Sequence, residues 1–163
     1  MARRTSDAEA TPALAAVLRA GVEHQVHRYV HDPRSTSYGW EAAEALGVEP
    51  DRIFKTLLAD VDGELCVAVV PVTLQLDLKA FASTLGGKRA AMADPARAER
   101  ATGYVVGGIS PLGQKRTHRT VVDETAELWD TLHVSGGRRG LEIELSPADL
   151  LRLTGGVPGP IAR

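Results

Sequence analysis

The chain has 163 residues, 44% of them hydrophobic and 25% charged, which suffices for one globular domain with a substantial core. Its net charge of -2 excludes a protein that binds polyelectrolytes through overall charge. The single cysteine, Cys66, excludes an internal disulfide, and no apolar run approaches the roughly 18 residues of a membrane helix. We expect a cytoplasmic protein without a membrane partner, in which residues 11–153 form one domain between a flexible segment at 1–10 and a loose tail at 154–163.

A helix and a strand open the predicted domain. Thr11-Pro12 has the form of a helix cap followed by proline at the first helical position, and Gly21 would end that helix. From Val22 to His31 apolar and polar residues alternate with a period of two, which predicts a strand.

Three histidines on this strand raise the question of a metal site. His24 faces away from His27 on a strand, so these two and His31 cannot converge without a bulge, and we expect no metal. Tyr29 and His31 share one face just before a turn, where they are better candidates for lining a cleft.

Residues Arg52 to Leu58, R-I-F-K-T-L-L, form an apolar run interrupted by one cation, Lys55. The run predicts a buried strand, and the β-branched Thr56 suits a pleated surface. Lys55 could extend its ammonium to water along apolar surface, or it could stand at the wall of a pocket and hold a phosphate or a carbonyl. The residues alone leave both interpretations open.

A hairpin and several short helices follow. Asp62-Gly63 is a strong turn signal between strands at Phe54–Val61 and Glu64–Pro71, and Cys66, within the second strand, is interpreted as core rather than as a nucleophile. Strands that interleave with short helices predict an α+β fold with a mixed or mainly antiparallel sheet. The other predicted elements are helices at Tyr38–Leu46 (capped by Ser37), Asp77–Leu85, from Asp94-Pro95 and from Ser146-Pro147, and strands at Lys88–Ala93, Leu132–Val134 and Leu141–Leu145.

Two glycine-rich loops are candidates for ligand contact. In Tyr104–Gln114 a short strand leads into paired glycines, a serine and a proline, and such a backbone can present N–H groups to an anion. A purely structural loop would use the same residues. The second loop is Ser135–Gly140, and neither loop has the spacing of a P-loop or a dinucleotide fingerprint.

The segment from residue 84 to residue 140 is more basic than the whole chain, with nine basic and six acidic residues. This surplus could meet a phosphate backbone, although charge runs are more often only solvated. The basic residues are Lys88, Arg89, Arg97, Arg100, Lys115, Arg116, Arg119, Arg138 and Arg139.

Five motifs occur in order from about Thr11 to Leu153. Together they resemble the YbaK family, free-standing relatives of the prolyl-tRNA synthetase editing domain, and the likeness is greatest to bacterial Cys-tRNA(Pro) deacylases. A single motif would be a weak signal, whereas several long motifs in register are specific. The motifs are F-K-T-L-L at 54–58, D-L-K at 77–79, M-A-D-P at 92–95, T-G-Y-V-V-G-G-I-S-P-L-G-Q-K at 102–115 and S-G-G-R-R-G-L-E-I-E-L at 135–145.

The resemblance implies an α+β fold in which a mixed, mainly antiparallel, barrel-like β-sheet is flanked by short helices. It also implies an enzyme that hydrolyses the ester between a wrong amino acid and tRNA(Pro), without a cofactor. Prolyl-tRNA synthetase mischarges cysteine because cysteine and proline have similar sizes, which one pocket separates poorly. The expected partners are misacylated tRNA(Pro) and prolyl-tRNA synthetase.

The same likeness assigns roles to individual residues. Lys55 takes the place of the family's lysine, expected to contact the terminal adenosine and its phosphate or the scissile ester region. Tyr29 and Thr56 would bind the substrate, as would Glu142, which stands where the family often has the shorter aspartate. The first glycine loop would supply backbone donors from Gly107, Gly108, Ile109 and Ser110, and the second would complete the wall with Ser135, Gly136 and Gly137.

The implied mechanism needs no nucleophile from the protein. The sequence contains no credible Ser-His-Asp set, and Cys66 is assigned to the core. By resemblance, the thiol of the cysteinyl substrate attacks its own carbonyl and the amino acid leaves as a thiolactone, while N–H groups at Gly108 to Ser110 stabilise the oxyanion.

Three alternatives stay open from the sequence. The same fold could remove alanine or another small amino acid from tRNA, since the shape of the pocket is not visible in the sequence. The chain could instead be a non-catalytic module that binds tRNA or a synthetase through its basic segment. The third alternative is a small-molecule binding protein that uses the glycine loops for phosphate.

Overall fold

Eight strands form two sheets in the computed structural model, which describes residues 10–163. The smaller sheet has the order β1-β7-β6 and the larger one the order β4-β2-β3-β5-β8. Four of the six pairings are antiparallel, and β3 with β5 and β5 with β8 are parallel, so the predicted α+β fold with a mixed, mainly antiparallel sheet is confirmed. The strands are β1 His24–Arg28, β2 Phe54–Val61, β3 Glu64–Pro71, β4 Ala90–Met92, β5 Thr120–Asp123, β6 Leu132–Ser135, β7 Leu141–Leu145 and β8 Val157–Gly159.

Five α-helices lie among the described residues, and each starts directly after its predicted cap residue, but the side chains of Ser37 and Asp94 make no cap hydrogen bond. The side chains of Thr11, Asp77 and Ser146 each accept a hydrogen bond from the backbone N–H three residues later, which satisfies a donor that the first turn leaves free. None of the helices within residues 10–163 combines the length and the apolarity needed to cross a membrane. The helices are α1 Pro12–Ala20, α2 Tyr38–Leu46, α3 Leu78–Thr84, α4 Pro95–Thr102 and α5 Pro147–Thr154, with short 3₁₀ helices at Pro50–Arg52 and Glu124–Leu128.

The β2–β3 hairpin lies at the middle of the larger sheet and has the predicted bounds. Its turn places Asp62 and Gly63 at φ +50° and +92°, the left-handed region that Asp-Gly tolerates. Along β3, Val67 and Val69 belong to the core shared with the smaller sheet, whereas Cys66, Ala68 and Val70 pack on the opposite face. A strand buried on both faces has a continuous apolar sequence, and the fully buried Cys66 confirms its assignment to the core.

The two sheets meet along the first half of β2. The strand β4 pairs only with Ala59–Val61, so the edge of β2 at residues 54–57 has no strand partner among the described residues. Ile53, just before β2, forms an isolated parallel bridge with His133 of β6. The main core joins both sheets there, with Phe54 packed in one cluster with Val134 and Ile143.

Two predicted strands are wrong in their extent. The strand β1 ends at Arg28 rather than at His31, because its partner β7 begins at Leu141 and the last backbone bond of this ladder joins Tyr29 N–H to Gly140 O. The strand expected after Tyr104 is absent, since Val106 N–H donates to the Glu99 carboxylate instead of to a neighbouring strand.

The predicted loose tail at 154–163 is also wrong. Thr154 ends α5, and Val157–Gly159 forms β8, which extends the larger sheet beside β5. Proline is tolerated in β8 because an edge strand needs only half of its N–H groups for pairing. Ile161 is fully buried, and Asp123 Oδ1 accepts bonds from the N–H groups of Ile161 and Ala162. The predicted flexible segment at 1–10 lies outside the described residues, apart from Ala10.

We expect Asp123→Ala to lower the free energy of unfolding by about 3 kcal/mol, because it leaves the buried N–H groups of the C-terminal segment without their charged acceptor. Urea denaturation measures this change. The control is Asp130→Ala at an exposed aspartate, which should change stability by less than about 0.5 kcal/mol. Equal stabilities of the two variants would contradict the role given to Asp123.

Candidate active site

A cleft of 440 Å³ opens beside the free edge of β2. Its floor is the stretch Ile53–Leu58, and its walls come from the start of α2, from residues 92–98, from the first glycine loop and from the facing ends of β6 and β7. Of the predicted site residues, the cleft brings together Tyr29, Lys55, Thr56, Gly107, Ile109, Ser135 and Glu142.

Lys55 lines this cleft and is half-buried there. Burial lowers the pKa of its ammonium, and no carboxylate among residues 10–163 lies within ion-pair distance of it. The β2–β3 ladder holds its backbone opposite Val70. Lys55 therefore presents an uncompensated positive charge to whatever occupies the cleft.

Two further polar side chains of the cleft lack an internal partner. Glu142 lies on β7 between Ser135 and His27 of the neighbouring strands, and it is only 7% exposed. Its Oε2 and the Oγ1 of Thr56 are buried without a hydrogen bond among the described residues. Burial raises the pKa of Glu142 to about 8, so its carboxyl group is mainly protonated at neutral pH and can donate a hydrogen bond.

Tyr29 and Ser135 complete this polar side of the cleft. The hydrogen bond from Tyr29 N–H to Gly140 O holds Tyr29 at the end of β1. Burial, with a further contribution from Glu142, raises the pKa of the Tyr29 phenol to about 12, so the phenol keeps its proton. His31, in contrast, does not line the cleft, because its Nδ1 is bound to Glu41 at 2.6 Å.

The first glycine loop contributes only half of its predicted donors. Gly107 and Ile109 line the cleft, and their N–H groups have no partner among the described residues. Gly108 N–H instead donates to Val105 O at 2.8 Å, so its prediction as an oxyanion donor is wrong for this conformation. Ser110 is fully buried outside the cleft lining, and its Oγ accepts the N–H of Leu112.

Close packing against the second loop fixes the position of the first. A Cβ atom on Gly108 would lie 2.6 Å from the Cα of Arg138, so only glycine lets the two backbones approach this closely. The Arg139 guanidinium donates to Val106 O and lies 4.8 Å from the centre of the Tyr38 ring. The two loops and the start of α2 are thereby held together at one side of the cleft.

The paired glycines of the second loop do not line the cleft, contrary to the prediction. Gly136 N–H donates to Leu141 O, and Gly137 packs against Tyr104 and Thr11 at φ +106°. Ser135 does line the cleft, and its Oγ accepts the N–H of Gly137. The glycines therefore shape the turn that carries Ser135 and do not form the wall.

The sequence interpretation missed the aromatic residues at the start of α2. Tyr38 and Trp40 line the cleft, and Trp40 remains 51% exposed at its mouth. Gly39 between them packs so tightly on Val72 that a Cβ would lie 2.2 Å from Val72 Cγ1. A glycine between two aromatics within a helix was the available signal, because glycine there disfavours a helix unless something must approach closely.

The predicted failure of His24, His27 and His31 to converge is confirmed, because each bonds to a different group. His27 instead meets His133 and Glu144, whose ligand atoms lie within 4.8 Å of one another, the spacing of a possible metal site among the described residues.

That cluster lies outside the cleft lining. Its carboxylate already accepts hydrogen bonds from Thr131 and Arg52, so a cation would compete with a guanidinium. Burial lowers the pKa of His133 to about 4, so its ring is neutral at neutral pH.

Comparisons with known proteins show what this chain is similar to. The chain is 43% identical over 116 residues to EbsC of Enterococcus faecalis, a proposed Cys-tRNA(Pro)/Cys-tRNA(Cys) deacylase, and the match covers 70% of each chain. It is 32% identical to the multifunctional Ser/Thr-tRNA deacylase ProXp-y of Escherichia coli K12, over 61% of this chain and 62% of that protein.

Comparison with solved structures also finds a protein with a related function. A crystal structure of a proposed trans-editing enzyme for prolyl-tRNA synthetase superposes with a TM-score of 0.83 at 25% identity, over 98% of this chain and 99% of that one. The sequence model of the aminoacyl-tRNA editing domain matches residues 33–153, so this chain belongs to the aminoacyl-tRNA editing domain family.

Proposed function

We propose that this protein hydrolyses Cys-tRNA(Pro), so that cysteine misattached to tRNA(Pro) is removed before it enters a protein. The broader activity, hydrolysis of the ester bond of a misacylated tRNA, follows from the family and from its deacylase relatives. The choice of cysteine is supported by the 43% identity to EbsC.

The observation that carries the proposal is a set of polar groups that line one cleft without a partner among residues 10–163. They are Lys55, the hydroxyl of Thr56 and the carboxyl of Glu142. A buried polar group that lacks a partner costs about 1–3 kcal/mol, and native proteins keep few of them. A ligand that offers a phosphate, an ester and hydroxyl groups would supply the missing partners.

The volume of the cleft limits which part of a tRNA can enter. At 440 Å³ it has the size of a small-molecule site, so it can receive the aminoacylated terminal adenosine but not a duplex. In this arrangement the ammonium of Lys55 would lie against the terminal phosphate or the ester. The free N–H groups of Gly107 and Ile109 would donate to the developing oxyanion.

The chemical step uses the substrate's thiol. The thiol sulfur of the cysteinyl group bonds to its own carbonyl carbon, the bond between that carbon and the ribose oxygen breaks, and the thiol proton passes to the ribose oxygen. Cysteine leaves as a thiolactone, which water then opens. The only cysteine of the protein, Cys66, is fully buried and outside the cleft lining, and burial raises the pKa of its thiol, so it is no competing nucleophile.

Prolyl-tRNA synthetase is the proposed second partner. The structural relative is described as a trans-editing enzyme for that synthetase, and a synthetase could hold the tRNA for a partner whose net charge is only -2.

We expect Lys55→Ala to lower kcat/KM for deacylation of Cys-tRNA(Pro) by roughly a hundredfold, since it removes a cation from the cleft floor. Single-turnover release of labelled cysteine measures the loss. Lys79→Ala, at an exposed lysine outside the cleft lining, is the control and should keep the wild-type rate. A wild-type rate in Lys55→Ala would remove Lys55 from the site.

We expect tRNA(Pro) charged with cysteine to be deacylated at least about a hundredfold faster than tRNA(Pro) charged with S-methylcysteine, because the methyl group blocks the attacking thiol. Parallel assays with alanyl, seryl and threonyl esters test the alternative substrates. Faster release of any of these than of cysteine would move the assignment to that amino acid. Binding without hydrolysis of every ester would instead favour the non-catalytic module.

We expect wild-type protein to lose stability relative to Glu142→Gln as the pH rises from about 4.5 to about 8. The folded protein raises the pKa of Glu142 to about 8, so across this window the folded state binds a proton that the unfolded state has released. The difference in the free energy of unfolding should fall by up to about 1.4 kcal/mol per pH unit. Urea denaturation of both proteins at pH 5 and pH 8 measures it, and a pH-independent difference would show that Glu142 is ionised throughout.

A further inference from the structure

A second concave surface lies on the side of α4 opposite the cleft. It is a groove of 620 Å³ whose apolar lining includes Leu65 and Ala101. We call it the basic groove, and its charged lining consists of Arg97, Arg100, Lys115, Arg116 and Glu64.

Most of the positive charge in the basic groove is uncompensated. Arg97 is bound to Asp60 at 2.6 Å. Arg100, Lys115 and Arg116 are exposed, and none has a carboxylate within 4.0 Å among residues 10–163. This concentration of cations contrasts with a net charge of -2 for the whole chain.

A local constraint keeps the cations together. Lys115 N–H donates to Thr102 O at 2.9 Å, which ties the segment that carries Lys115 and Arg116 to the last residue of α4. Arg100 lies in the last turn of the same helix. Arg100 and the adjacent pair Lys115 and Arg116, which belong to two separate segments, are thereby gathered at one helix end.

The helix α4 also relates the basic groove to the cleft. Ala98 lines the cleft, whereas Arg97, Arg100 and Ala101 line the groove. Since an α-helix with its side chains is about 10 Å across, a nucleic acid whose 3′ end enters the cleft would reach the groove within a few nucleotides.

We propose that the basic groove binds the phosphate backbone of the tRNA acceptor stem while the aminoacylated end occupies the cleft. This inference rests on the proposed function. Arginine guanidinium groups match phosphate oxygens in charge and geometry. An acidic protein partner fits less well, because no Trp, Tyr or Phe lines the groove to serve as an anchor.

The test compares a double variant, Arg100→Gln with Arg116→Gln, on two substrates: Cys-tRNA(Pro) and the cysteinyl ester of the trinucleotide CCA, which has no acceptor duplex. For the tRNA we expect KM to rise about tenfold with kcat unchanged, and the slope of log Kd against log salt for uncharged tRNA(Pro) to fall by about 2. For the trinucleotide ester we expect wild-type kinetics. The matched control is Arg19→Gln with Arg152→Gln, two exposed arginines outside both surfaces, which removes the same charge and should leave KM unchanged.

An unchanged KM and salt slope for tRNA would overturn the inference, as would an equal loss on the trinucleotide ester or an equal loss in the control. A different outcome would contradict the proposed function without contradicting the binding surface. If wild-type protein hydrolyses neither cysteinyl substrate while the double variant still shows the reduced salt slope, the cysteine assignment falls and the docking surface stands.

Discussion

The difference in length between two neighbouring strands determines where the cleft of this protein opens. β4 pairs with only the last three residues of β2, so the edge of β2 at residues 54–57 lies open to the space between the two sheets. Lys55 and Thr56 lie on this stretch, and β7 brings Glu142 to the opposite side of the same space. A longer β4 would cover that edge and close the cleft, because strand pairing satisfies the backbone groups that are now free.

Burial then gives the cleft groups their chemical character. Removal from water keeps Glu142 mainly protonated at neutral pH and leaves Lys55 as a cation without a carboxylate nearby. The site therefore combines the cations Lys55 and Arg138 with neutral donors, which suits an anionic phosphate and the carbonyl of an ester. No strong base of the protein is required if the substrate brings its own nucleophile, and what remains for the protein is placement of the ester and stabilisation of charge.

Local signals in the sequence predicted those parts of the fold that depend on interactions between residues close in sequence. The hairpin around Asp62-Gly63 and the capped helices were predicted with bounds that the structure confirms to within about two residues. The prediction for the tail was wrong because the position of this segment depends on a distant acceptor, Asp123. In addition, the proline and glycine of β8 give no local signal for an edge strand.

The same distinction, between features set by local sequence and features set by contacts between distant segments, holds for the site. Lys55 stood out as a lone cation in an apolar run, so it was found from its neighbours alone. Whether a loop glycine faces a ligand depends on contacts between segments: Gly108 packs on Arg138 and Gly137 on Tyr104, and neither contact is visible in the local sequence. The cluster of His27, His133 and Glu144 was missed for that reason, since it requires the register of three strands.

The central claim, that the cleft binds the aminoacylated 3′ end of a tRNA, is tested most directly by a crystal structure with a non-hydrolysable amide analogue of 3′-cysteinyl adenosine. The account predicts the analogue in the cleft, with its carbonyl oxygen about 3 Å from the N–H of Gly107 or Ile109 and its polar groups bonded to Lys55 and Glu142. An analogue bound outside the cleft, or bound within it while Lys55 points to solvent, would contradict the account.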